Sequence, residues 1–169
     1  MEAHHLFTEF KRIIENVAIR EIERKEKDEF DRVWRNLLYE DLTVLAITKG
    51  YDAEIRPALS DNNEINHTTP LTDYSWVSRQ DGLLSKIELI LQCEWSVKPE
   101  IISSAFEKLL VIDSHQKILV CQQRTKADAE KLLLKIESMI DAFETPQVVQ
   151  NYLIAIWIDD HFEWEEIMR

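Results

Sequence analysis

The run Leu83–Trp95 constrains this chain more than any other stretch. It is long, mostly apolar and preceded by the turn signal Gln80-Asp81-Gly82, so it reads as a buried strand entered through a hairpin. Strand side chains alternate between faces. Glu88, Ile90, Gln92 and Glu94 therefore share one face, and Leu89, Leu91, Cys93 and Trp95 share the other. A carboxylate at the end of such a strand needs a partner, because an unpaired charge in apolar surroundings is costly. A metal ion is one partner that would justify it.

The elements around this run follow from periodicity. A strand starts at Asp73 with Asp73-Tyr74-Ser75-Trp76-Val77, and the hairpin turn brings it beside the long run. Pro99 suits a first helical turn, after which Ile102, Ala105, Phe106, Leu109 and Leu110 mark a buried helical stripe. Lys117–Gln123 reads as a strand. Thr125 with Asp128 three residues later resembles a capping box and opens a helix through Phe143. Asn151–Asp159 is nearly all apolar, which suits a strand covered on both faces, and His161–Arg169 adds a short edge strand. Upstream, residues 4–27 and 28–49 have helical spacing, with Gly50 as the stop of the second helix. Ala53–Leu59 reads as a first strand interrupted by Pro57, and residues 60–72 as a polar loop. The expected fold class is α/β, a mixed central sheet flanked by helices. The length fits one domain spanning 1–169, with a helical pair at 1–50 and an α/β core at 51–169.

The stretch from about Glu54 to Gln123 resembles the PD-(D/E)XK nuclease superfamily, the restriction-endonuclease-like fold. That family sets an Asp on one strand and, after a hairpin, an acid-x-Lys pair on the next, followed by a helix and another strand. Asp73 matches the first Asp, and Gln92-Cys93-Glu94, nineteen residues on, stands at the acid-x-Lys position. The usual acid is Gln92 here, and the usual Lys is Glu94. Some members carry Glu at that Lys position, and in others the Lys has moved to the following helix, where Lys108 stands. The resemblance implies an αβββαβ core, with an extra N-terminal helix in this chain, and metal-dependent hydrolysis of phosphodiesters, DNA first among them. Asp73 and Glu94 would be the metal ligands for Mg²⁺ or Mn²⁺, Gln92 would orient a ligand or water, and Lys108 would stabilise developing charge. The preceding helix sometimes supplies a further acid, which makes Glu40 an additional candidate. Many members cut duplexes as homodimers. A second copy could also cover surplus apolar positions at 4–49, including Trp34, Tyr39, Leu42 and Ile47.

Charge argues in the other direction. The net charge is −12, and phosphate contact needs Lys and Arg. Residues 140–169 hold seven acids against one base, so half the deficit lies in this last segment. The basic residues on the first helix, among them Lys11, Arg12, Arg20 and Arg24, are expected to pair with neighbouring Glu on a solvated face, the alternative being a basic helix that touches a nucleic-acid backbone. Cys93 and Cys121 lie in apolar strand patterns and read as buried thiols. With only Gly50 and Gly82 there is no glycine-rich phosphate loop, and no Ser or Cys nucleophile stands beside a His base. The set Asp159-Asp160-His161, the His4-His5 pair and His115 read as a strand terminus, a chain end and a surface turn. Trp34, Trp76, Trp95 and Trp157 read as core. No membrane-spanning run and no signal peptide are expected, and the cytoplasm is the default location. The competing class is a catalytically inactive protein on the same fold, whose acidic segment Asp159–Glu166 faces a basic protein partner.

Overall fold

Helix-forming periodicity at the start of the chain and strand-forming runs after it produce two compact units, Met1–Asp52 and Ala53–Arg169. The computed structural model describes residues 3–24, 30–55, 72–143 and 149–169. In the first unit, helix α1 spans Ala3–Arg24 and α2 spans Phe30–Thr48. The two helices pack on each other. Buried positions recur every three or four residues: Leu6, Phe10, Ile14 and Val17 on α1, then Trp34, Leu38, Leu42 and Ala46 on α2. Glu9 meets Lys49 at 2.7 Å, and Arg20 pairs with Asp41, so the polar faces carry ion pairs as their composition implies. Gly50 takes φ 82°, Gly50 N–H donates to Ile47 O and Tyr51 N–H donates to Ala46 O. This is the Schellman pattern that a glycine just past the helix makes accessible.

The second unit is built on one six-stranded sheet in the order β1-β2-β3-β4-β5-β6. The strands are β1 Asp52–Ile55, β2 Tyr74–Gln80, β3 Leu83–Glu94, β4 Gln116–Gln122, β5 Asn151–Ile158 and β6 His161–Met168. Strands β2 and β3 form an antiparallel hairpin closed by Asp81 and Gly82, both at positive φ (53° and 78°). That pair matches the Asp-Gly preference of a two-residue turn with left-handed central residues. β5 and β6 form the second hairpin, with Asp159 at φ 54° in its loop.

Between the hairpins, β3, β4 and β5 run parallel, which requires two crossovers. Helices α3 (Pro99–Val111) and α4 (Lys126–Ala142) supply them. Both bury their apolar stripes on one face of the sheet. Phe106 and Leu109 of α3 and Leu132 and Ile136 of α4 join Ile90, Leu119, Cys121, Ile154 and Ile156 in one core cluster. The opposite face carries Leu89, Leu91, Ile118, Val120, Leu153 and Ala155, and these are buried too. Burial on both faces explains why the three central strands read as almost unbroken apolar runs. The mixed α/β architecture with helices flanking a mixed sheet is therefore as read.

The differences are local. The strand expected at Ala53–Leu59 ends at Ile55 among the described residues, and Pro57 and the loop 60–71 lie outside them. His4 and His5 fall within helix α1 and do not form a loose chain end. Of the apolar positions offered for a second copy, Trp34, Tyr39 and Leu42 are buried and only Ile47 is exposed. Those three therefore leave no surplus surface. Cys93 and Cys121 are buried thiols, as expected, and neither forms a disulfide.

Candidate functional site

Asp73 immediately precedes β2, one step beyond the last paired residues Tyr74 and Leu91, so it stands opposite Gln92 near the end of β3. Antiparallel pairing puts both side chains on one face, and they meet. Gln92 Nε2 donates to Asp73 Oδ2 at 2.9 Å, and the backbone N–H of Cys93 donates to the same oxygen at 2.9 Å. The carboxylate thus fastens the open end of the β2–β3 hairpin.

The Gln92 bond has a second consequence. With Nε2 committed to Asp73, the amide orientation is set, and Gln92 Oε1 is left buried without a hydrogen-bond partner. A buried acceptor with no donor is a cost the fold would shed unless something else approached it. A cation is one such ligand. Glu94, two residues on and on the same face as Gln92, ends β3 half-buried. Its Oε1 accepts from Ser96 N–H at 2.7 Å. Glu94 pairs in register with Cys121 of β4. The Cys121 thiol is pushed far above its ordinary pKa by burial first and by the Glu94 charge second. It is no nucleophile. Gln122 Nε2 donates to the Trp95 carbonyl and ties the ends of β3 and β4 together.

Asp73, Gln92 and Glu94 are thus gathered at the carboxyl end of β3. Lys108 is not brought into hydrogen-bond contact with them. It sits half-buried on α3 beside the buried Leu109, and makes no hydrogen bond or ion pair among the described residues. Glu40 is exposed on α2, in the other unit. No group of three or more His, Cys, Asp or Glu gathers among the described residues. Any cation here would rest on two carboxylates and the Gln92 amide oxygen.

The weaker constellations resolve into structure. His161 Nδ1 lies 3.1 Å from Asp160 Oδ1, and Nε2 lies 3.5 Å from Glu163 Oε1. The hydrogen bond to Asp160, then that to Glu163, raises its pKa. His115 Nδ1 lies 3.5 Å from Val149 O, at the turn into β4. Trp34, Trp76 and Trp95 are buried, whereas Trp157 is half-buried and packs edge-on against Phe162 at 5.0 Å. No helix among the described residues is long and apolar enough to cross a membrane.

Periodicity missed two features. Lys117 is fully buried at the amino end of β4, away from the carboxyl end that holds Glu94. Its ammonium donates to Leu110 O at the end of α3 (3.3 Å) and stands 5.5 Å from the Tyr152 ring centroid. Burial lowers its pKa to about 8, against the opposing pull of Asp113. The only hint in the sequence was a Lys on an otherwise apolar strand face. The second feature is Gln123, expected as the last residue of the strand from Lys117, which lies just past β4 with its side chain buried. Comparisons with family models, with curated proteins and with solved structures return no match for this chain.

Proposed function

We propose that this chain is a metal-dependent nuclease acting on DNA, built on a restriction-endonuclease-like core. One observation carries the reading. The Asp73–Gln92 hydrogen bond joins the start of β2 to the end of β3 and leaves Gln92 Oε1 buried and unpartnered, two residues before Glu94. Asp73 through its second oxygen, Gln92 through Oε1 and Glu94 through its second oxygen would hold Mg²⁺ or Mn²⁺, both of which take oxygen ligands. Bound there, the ion would supply a more acidic water and charge neutralisation at the attacked phosphate. The chain's own share is positional. Gln92 and the Cys93 amide fix the position of the Asp73 carboxylate, and the Ser96 N–H holds Glu94 in place. Lys108 would offset the charge that develops on the phosphate.

With two carboxylates and one neutral oxygen, Mn²⁺ should support more activity than Mg²⁺, which demands nearer-ideal octahedral geometry. The expected result is cleavage of plasmid or linear duplex DNA by the purified chain in Mn²⁺, weaker cleavage in Mg²⁺ and none with a chelator. An enzyme silent in both ions, with no heat on Mn²⁺ titration, would sink the reading.

One observation favours a second reading, a catalytically inactive interaction protein on the same fold. Asp73 and Glu94 each accept a backbone amide, from Cys93 and Ser96, a task structural carboxylates perform without a metal. The acidic β6 hairpin would then meet a basic protein partner. The same Mn²⁺ titration separates the two. A homodimer belongs to the nuclease reading, since cutting both strands of a duplex suits a symmetric pair. Exposed Ile19, Val44 and Ile47 on the helical unit are the apolar positions a partner copy would cover. Light scattering should return twice the chain mass, and a monomer mass at high concentration would remove this proposal.

A further inference from the structure

A cleft of about 590 Å³ opens in the C-terminal unit where α3 and α4 begin. Its lining includes Lys98, Arg124, Lys131 and Lys135, against only two acids, Glu100 and Asp128. On a chain of net charge −12, a local excess of cations is contrary to composition. None of the four cations is in an ion pair among the described residues. Lys131 and Lys135 stand four apart on α4, so they are neighbours of like charge on one helix face, an arrangement that weakens a helix unless an anion offsets it. The amino ends of α3 and α4 add the positive ends of their helix dipoles. Lys98, the N-cap of α3, supplies no side-chain cap.

A second and independent observation points to a ligand. Gln123 lines this cleft, is 7% exposed, and its Nε2 has no hydrogen-bond partner. Its backbone N–H is taken by Trp157 O at 3.0 Å, so the residue is held in place while its side-chain donor goes unused. A buried donor without an acceptor costs stability in the empty protein. An oxyanion entering the cleft would satisfy it and, at the same time, neutralise the lysines. Four cations, a buried amide donor and two helix amino ends suit a phosphate group, which offers several strong acceptor oxygens and a charge near two.

We propose that this cleft is a phosphate-binding site, with Gln123 Nε2 as its buried donor and Lys98, Arg124, Lys131 and Lys135 as its cationic rim. The phosphate belongs either to a free phosphate compound or to the backbone of a nucleic-acid strand. The site holds without metal, so it stands whether or not the Asp73–Glu94 site binds a cation.

The test is calorimetry in chelator at constant ionic strength, titrating first inorganic phosphate and then a short duplex oligonucleotide. Wild type is compared with Gln123→Leu, with Lys131→Gln and with Lys86→Gln, the last outside the cleft. Binding of either probe that weakens about tenfold or more in Gln123→Leu and Lys131→Gln, and is unchanged in Lys86→Gln, is the expected result. If only inorganic phosphate behaves so, the source is a free phosphate compound. If the oligonucleotide does, the source is the strand backbone. Lys131 is exposed, so its variant reports even if Gln123→Leu does not fold. No binding of either probe, or binding that ignores Lys131→Gln, would overturn the site. Because chelator is present throughout, failure here leaves the nuclease reading standing, and failed DNA cleavage leaves the phosphate site standing.

Discussion

Glu94→Gln should lower Mn²⁺-dependent DNA cleavage on the order of 10²-fold or more while leaving the fold intact. The amide keeps an oxygen that can accept the Ser96 N–H, so the local turn after β3 survives, and only the ligand charge is removed. Gln92→Glu is the sharper companion. The new carboxylate would lose the Nε2–Asp73 hydrogen bond and stand against the Asp73 carboxylate, a like-charge pair in a half-buried setting. Without metal, this variant should melt at lower temperature than wild type. With Mn²⁺ it should recover, since a third charged ligand tightens binding and binding to the native state stabilises it. Thermal scans with and without Mn²⁺, beside a cleavage assay, read both effects. Cleavage undiminished in Glu94→Gln would show that the activity comes from elsewhere. A melting temperature of Gln92→Glu that ignores Mn²⁺ would remove position 92 from the ligand set.

Lys117→Met should stabilise the protein at pH 7, and the gain should shrink as pH rises. The ammonium of Lys117 is buried, and its pKa falls from 10.5 to about 8 in the fold. A lowered folded value means that the native state binds the proton more weakly than the unfolded chain does. Below pH 8 both states are charged and the penalty is full. Between pH 8 and 10.5 the native state releases its proton first, so wild-type stability climbs with pH. At about 1.4 kcal/mol per pKa unit the penalty is roughly 3 kcal/mol. The hydrogen bond to Leu110 O offsets about 1 kcal/mol of it. Met keeps the length and apolar stem, so a net gain of about 1–2 kcal/mol is expected at pH 7. Tyr152, raised by burial, has the opposite sign: its contribution is lost as pH rises through its ordinary value of 10.0. Urea midpoints taken from pH 7 to 9.5 avoid that region. A difference between variant and wild type that stayed flat across this range would refute the assignment.

Most of the elements were legible in the chain because their causes are local. A three-to-four-residue apolar spacing makes α1 and α2 whatever else is present. Gly50 ends α2 since the left-handed residue after a helix suits glycine, and Asp81-Gly82 closes the β2–β3 hairpin for the same backbone reason. Thr125 caps α4 by accepting the Asp128 N–H, three residues away in sequence. Apolar runs announced β3 as a buried strand and β5 as one covered on both faces, and Lys117–Gln123 read as the strand that became β4. The facing of Gln92 and Glu94 also followed from alternation alone.

What could not be read depends on residues far apart in sequence meeting in space. Nothing local says that Gln92 would turn its amide to Asp73, nineteen positions back, and leave Oε1 without a partner. Lys117 looked like any strand lysine until the end of α3 and Tyr152 closed over it. The cleft combines Lys98 before α3, Gln123 and Arg124 after β4, and Lys131 and Lys135 along α4. Only parallel pairing of β3 with β4 sets those helix starts side by side. Periodicity records which face of an element is apolar. Which faces meet, and which polar groups they bury, is decided by strand order and register, and these are settled by packing of the whole sheet.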